Sequence, residues 1–226
     1  MTSRNRQFKN QMYGQIARIG KALSSPKRLE MIDILGQGER SVETLARETA
    51  QTIANCSRHL QILKQSSLVE PRKEGTRAFY RLADSEVARH WLGLRTFAVE
   101  RLAEVERVVR DYHELRDELR PVSSKELLEL IRRGDVIVLD VRPVEEYRAG
   151  HLPGALVVPP GEVERRLASL TKDREIVAYC RGPYCVYAVE AVKVLRRHGL
   201  AARRMEQGIP EWRLLGHPVE VGLGEQ

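Results

Sequence analysis

Cys180 and Cys185 stand five residues apart, between the apolar run Glu175-Ile176-Val177-Ala178-Tyr179 and the helical pattern Val186 to Leu195. A cysteine at the carboxyl end of a buried strand, on a loop that enters a helix, lies where α/β sheets place ligands. Loop amides and the helix dipole there favour a thiolate or a bound anion, so a lowered thiol pKa is expected for Cys180. The third cysteine, Cys56, falls at helical spacing with Ile53, Leu60 and Leu63 and reads as a small buried hydrophobe. Three cysteines are too few for a secreted disulfide framework.

A second group of residues suits nucleic acid. On a wheel of the helix that starts near Thr52, Ile53, Cys56 and Leu60 point inward, while Ala54, Asn55, Arg58 and Gln61 point outward with Thr52, Ser57 and His59 at the margins. Asn55 and Gln61 have the amides that read adenine edges, and Arg58 the fork that reads guanine. Arg72, Lys73 and Arg77 flank a turn at Gly75, placed for phosphates or a minor groove. The net charge of +7 is concentrated here, for residues 1–83 hold 15 Lys and Arg against 7 Asp and Glu. Residues 84–120 hold 7 against 9, and residues 121–226 hold 16 against 15. The basic third calls for a polyanion, and double-stranded DNA is the first candidate.

The elements that must position these groups fall into two architectures. Ser25-Pro26 caps a helix carrying Leu29, Ile32 and Leu35 until Gly36 and Gly38 stop it, and Ser41 caps a short helix with Val42 and Leu45 inward. With the helix from Thr52, this is a helix-turn-helix pattern, and Leu68 to Leu82 follows as a two-stranded wing. From Asp84 to Leu119 the stripe Val87, Trp91, Leu94, Ala98, Leu102, Val105, Val109, Tyr112 predicts one helix of about 54 Å. So small a domain cannot bury that stripe, and pairing with a second copy does so, aided by Met12, Ile16 and Ile19. Pro121 ends the helix. A capping box at Ser123 to Glu126, a helix to Arg133, and the runs Val136 to Val141 and Glu175 to Tyr179 then announce a parallel sheet. The chain is read as a winged helix-turn-helix DNA-binding domain over 1–83, a dimerisation and linker helix over 84–120, and an α/β domain with a parallel sheet flanked by helices over 121–226.

Over residues 16–82 the sequence resembles the ArsR/SmtB family of winged-helix repressors, in Leu23-Ser24-Ser25-Pro26-Lys27-Arg28-Leu29, Cys56-Ser57-Arg58-His59-Leu60-Gln61-Ile62-Leu63-Lys64 and Gly75 to Leu82. The resemblance implies a homodimer on a palindromic operator, released by an inducer. The helix Ser41 to Arg47 lacks the paired cysteines of the metal-sensing members, and His59, His90 and His113 have no ligand spacing, so no metal site and no cofactor is expected. Over residues 123–220 the sequence resembles the rhodanese family, in Leu139-Asp140-Val141-Arg142, Glu146 to Ala155, Cys180 to Cys185, Gly208-Ile209-Pro210-Glu211-Trp212 and Gly216-His217-Pro218-Val219. That resemblance implies that Cys180 accepts a sulfane sulfur from thiosulfate, polysulfide or a persulfide, cradled by the loop Arg181, Gly182, Pro183, Tyr184 and Cys185. Asp140, Arg142, Glu146 and His151 fit a polar network supporting that loop, and Trp212 fits the core.

Where the family often carries a cation five positions after the nucleophile, this sequence has Cys185. Loss of the cation weakens binding of dianionic donors, and the added thiol offers a resolving group for a Cys180 persulfide. The expectation is a cytoplasmic, dimeric repressor that senses sulfane sulfur, with sulfurtransferase activity secondary to regulation. The alternatives are a sulfurtransferase whose N-terminal domain serves dimerisation, and a thiol-pair sensor of oxyanions or arsenicals. No apolar run approaches the roughly 18 residues of a membrane span, and the polar start Met1 to Arg6 has no signal core.

Overall fold

The computed structural model describes residues 3–114, 120–167, 170 and 173–223. The chain divides into two compact units, Met1–Trp91 and Leu92–Gln226.

In the first unit, α1 (Ser3–Leu23), α2 (Pro26–Gly36), α3 (Val42–Glu48) and α4 (Ile53–Gln65) precede the hairpin β2 (Val69–Glu74) and β3 (Arg77–Leu82). A short β1 (Arg40–Ser41) pairs with β3, giving an antiparallel sheet in the order β1-β3-β2. Proline opens α2, and the side chains of Ser41 and Thr52 accept the amides of Thr44 and Asn55 to start α3 and α4. Glu74 pairs with Arg77 across a two-residue turn, and Gly75 takes φ +59° there, as so tight a hairpin requires. Met31, Ile32, Leu35, Leu45, Cys56, Leu60, Leu63 and Val69 form the core, with Val87 and Trp91 packed on it. Ile53, expected to point inward, is exposed: the first turn of α4 overhangs the core, and Ala54 and Asn55 are exposed with it.

The expected single helix from Asp84 is α5 (Ser85–Arg101) and α6 (Ala103–Glu114), separated at Leu102. The Leu102 amide still reaches Ala98, but the Val105 amide turns back on Leu102 itself, an i−3 bond that tightens the turn and interrupts the helix. The predicted end of the helix near Leu119 lies outside the described residues.

In the second unit, β4 (Val136–Asp140), β5 (Leu156–Val157), β6 (Glu175–Tyr179) and β7 (Ala202–Arg204) form a parallel sheet in the order β5-β4-β6-β7. Its helices are α7 (Ser124–Arg133), α8 (Val144–Ala149), α9 (Val163–Arg166), α10 (Val186–Arg197) and α11 (Ile209–Leu214). Strand alternation makes two cores. Ile137, Leu139, Ile176 and Ala178 pack with Ala191, Val192 and Leu195 of α10, whereas Val136, Val138, Val177 and Tyr179 pack with Leu127 of α7, Tyr147 of α8 and Trp212 of α11. Cys180 continues the first series and is buried. No helix among the described residues is long and apolar enough to cross a membrane.

Candidate functional site

The loop from Cys180 to Cys185 leaves the carboxyl end of the central strand β6 and ends at the N-cap of α10. Cys180 and Cys185 are joined by a disulfide, their Cα atoms 6.1 Å apart. The Cys185 amide donates to the Gly182 carbonyl at 3.1 Å, and Gly182 has φ +155°, where only glycine is unstrained. Tyr184 is exposed.

The first half of this loop is anchored by charge. Arg181 donates from Nε and Nη2 to Oε1 of Glu146 at 3.0 and 2.6 Å, so its fork faces a carboxylate on α8 that solvent does not reach. Behind it, Arg142 and Asp140 are fully buried; Nε of Arg142 lies 2.9 Å from Oδ1 of Asp140, and Nη2 donates to the Gly150 carbonyl at 2.8 Å. Burial works against the charge on Arg142, but adjacent Asp140 more than compensates and holds the guanidinium pKa above its ordinary value. The Tyr179 hydroxyl donates to Asp140 and accepts the Leu152 amide at 3.1 Å. Burial, with Asp140 beside it, keeps that phenol protonated far above its usual range. His151, also buried, stacks on Tyr147 with ring centroids 3.7 Å apart; its Nδ1 lies 2.9 Å from the Tyr147 carbonyl and its Nε2 3.5 Å from Glu220.

Arg95 of α5 and Glu211 of α11 also meet at this loop. They form an ion pair, and the guanidinium lies 5.3 Å from the Tyr184 ring centroid. Sequence reasoning did not single them out as a pair, because 116 positions separate them and neither period nor motif links them. Glu211 stands inside a quoted motif, but nothing in the sequence marks Arg95.

In the first unit, Asn55, Arg58 and Gln61 share an exposed face of α4, and Ser57 and His59 are half-buried at its edge. Gln61 donates to the Tyr80 hydroxyl at 3.2 Å, tying the helix to the wing. Burial, then the charges of Arg28 and Arg58, lower the pKa of His59 and favour its neutral form. Lys73 and Arg77 are exposed on the wing. Arg72 crosses to Phe79, its strand partner, and bonds Glu39 at 2.6 Å and Glu74 at 2.6 Å. Cys56 is wholly buried, and burial followed by the charge of Glu43 pushes its thiol up to about 11. Among the described residues, no group of three or more His, Cys, Asp or Glu is placed to hold a metal ion.

Comparison with known proteins matches residues 23–72 to a helix-turn-helix domain and residues 123–215 to a rhodanese-like domain. The chain is 47% identical over 208 residues to the HTH-type transcriptional regulator Rv0324 of Mycobacterium tuberculosis, covering 92% of this chain and 91% of that protein. A sulfurtransferase of Allochromatium vinosum is 31% identical over 90 residues, 40% of this chain and 83% of its own. The homodimeric winged helix-turn-helix DNA-binding domain Mb0332 of Mycobacterium bovis is 42% identical, covers 45% of this chain and 91% of its own, and superposes with a TM-score of 0.41.

Proposed function

Because the chain belongs to the family of regulators that join an ArsR-type winged helix-turn-helix domain to a C-terminal rhodanese domain, we propose that it is a homodimeric DNA-binding repressor that senses sulfane sulfur at Cys180. The observation that carries this reading is the bonded pair Cys180–Cys185 at the strand end. A sulfurtransferase that turns over must leave its persulfide open to an acceptor, whereas a second thiol within bonding reach closes it.

The Cys180 thiolate attacks a sulfane sulfur of polysulfide; the new S–S bond forms as the donor's breaks, and the donor leaves one sulfur shorter. With thiosulfate the leaving group is sulfite. The Cys185 thiolate then attacks Sγ of Cys180, and hydrosulfide departs as the disulfide forms. If Cys180 carries two added sulfurs, attack on the nearer one gives a trisulfide bridge with the same leaving group. We assign the backbone amides of Arg181, Gly182 and Tyr184 to the reacting sulfur, and Asp140, Arg142 and His151 to the polar network behind the loop. On operator DNA, Asn55, Arg58 and Gln61 read base edges, Thr52, Ser57 and His59 flank them, and Lys73 and Arg77 meet the backbone, with Arg72 beside them but paired with Glu39 and Glu74.

Fluorescence anisotropy on DNA from the gene's own upstream region tests this, with and without polysulfide. Wild type should release DNA and Cys180→Ser should not. In Cys185→Ser, mass spectrometry should find the added sulfur held on Cys180 without a bridge. The similarity to sulfurtransferases favours a second reading, turnover to an external acceptor. Identical DNA binding by wild type and Cys180→Ser under all conditions would select it.

A further inference from the structure

We propose that Arg95 is a positioning residue through which α5 senses whether Cys180 and Cys185 are bonded, by way of Glu211 and Tyr184. The inference rests on the thiol-switch reading above and adds to it the group that detects the switch. Three observations meet at the guanidinium. It pairs with Oε1 of Glu211, it lies over the Tyr184 ring, and a Cβ added to Gly182 would stand only 3.5 Å from its Nη1. Glu211 is itself fixed, since its Oε2 accepts the Gly208 amide at 3.1 Å in the cap of α11. Gly208 in turn packs so closely on the Arg181 carbonyl that no side chain fits there.

The first half of the loop is therefore held by α8 and α11, through Glu146 and Gly208. Its second half is held by the disulfide at Cys185 and by Arg95 at Tyr184. Breaking the S–S bond frees the Cys185 end from β6, and Tyr184 is the adjacent residue. The Arg95–Glu211 pair is only 12% and 14% exposed, so neither charge can shift without losing its partner in a poorly solvated place. A displacement of Tyr184 is felt there directly. α5 runs from Ser85 to Arg101, so the residue that senses the loop belongs to the helix that leads out of the wing.

Coupling of this kind is reciprocal. If closing the disulfide favours the Arg95 contacts, removing Arg95 must make the disulfide harder to form. Forming the bond takes two electrons and two protons from the two thiols; oxidised glutathione accepts them and becomes two glutathione thiols. The full-length protein is equilibrated in glutathione redox buffers, and its free thiols are trapped by alkylation and weighed. Arg95→Ala and Glu211→Gln should each shift the equilibrium toward the dithiol by about tenfold, about 30 mV for this two-electron couple. Arg95→Lys, which keeps the charge but loses the fork, should recover part of the shift. Glu211→Gln retains the cap of α11, so a shift in that variant does not reflect a misfolded helix. Ratios within about twofold of wild type in both Arg95→Ala and Glu211→Gln would overturn the proposal. The second arm is operator release by polysulfide, where Arg95→Ala should stay bound while wild type leaves. Release of both proteins alike would also overturn it. If wild type itself stays bound, the sulfur-sensing reading fails, and the redox titration still decides the role of Arg95.

Discussion

Arginine–carboxylate pairs occur in both units, and solvent gives them opposite meanings. On the wing, Arg72 is 48% exposed as it holds Glu39 and Glu74. Beneath the cysteine loop, Arg142 and Asp140 have no exposure at all. Exposed pairs exchange readily for water, salt or another anion and add little to stability. A buried pair cannot be dissociated without stranding a charge, so it fixes backbone instead. The wing thus keeps Arg72, Lys73 and Arg77 within reach of a polyanion. The Arg142–Asp140 pair of the second unit instead fixes backbone, through the Gly150 carbonyl and the Tyr179 hydroxyl.

The largest test of this contrast is Asp140→Ala. It leaves Arg142 buried beside Tyr179 without its carboxylate and should lower the stability of the second unit by about 3–5 kcal/mol. Each unit has its own reporter, for the two tryptophans are Trp91 and Trp212. In urea, the transition seen by Trp212 should move to lower denaturant while that seen by Trp91 stays. Movement of both would break the division. Next in size is Arg58→Ala, which should cost about 1–3 kcal/mol on operator DNA and relax sequence preference there. Equal losses on operator and random DNA would remove Arg58 from base reading.

What the sequence made legible follows the range of the interaction. Pro26, Ser41, Thr52 and Gly75 act within a few residues, and the helix starts and the turn they dictate are where their types require, although Ser25 stands at its N-cap position without a side-chain bond. Two of the four parallel strands, β4 and β6, showed as apolar runs, and with them the position of Cys180 at a strand end; β5 and β7, of two and three residues, are too short to show a pattern. The rotation of α4 was legible at Cys56, Leu60 and Leu63 but not at Ile53, because a wheel gives direction and not where the core stops. The break at Leu102 was not legible, since no proline or glycine marks it. Nor were the pairs Arg181–Glu146 and Arg95–Glu211, which join residues 35 and 116 positions apart. Charge alone does not say which of 38 cations meets which of 31 carboxylates.

The core of the first unit allows a smaller test, in alkali. The folded-state pKa of Cys56 is raised to about 11, so above the ordinary thiol value of about 9 the unfolded chain loses this proton first. Stability contributed by the neutral thiol is complete below pH 9 and lost as pH rises to about 11. The Trp91 urea midpoint should fall across that window, and less steeply in Cys56→Ala. An unchanged slope in the variant would mean that other groups carry the alkaline loss.

The smallest expected effect is the one that tests the exposed side of the comparison most directly. Arg77→Ala should remove one phosphate contact, weaken binding to all sequences and reduce the slope of log affinity against log salt by about 0.9. Arg72→Ala should change that slope by much less, because Glu39 and Glu74 already neutralise the cation it removes. The same compensation requires Glu39→Gln to tighten binding to every sequence, since it leaves Arg72 with Glu74 as its one remaining carboxylate of the two. If Arg72→Ala instead reduces the slope as far as Arg77→Ala, the surface pair opens on DNA. Arg72 would then be a cation held in reserve by its carboxylates and surrendered to the stronger anion, which its 48% exposure permits and the burial of Arg142 forbids.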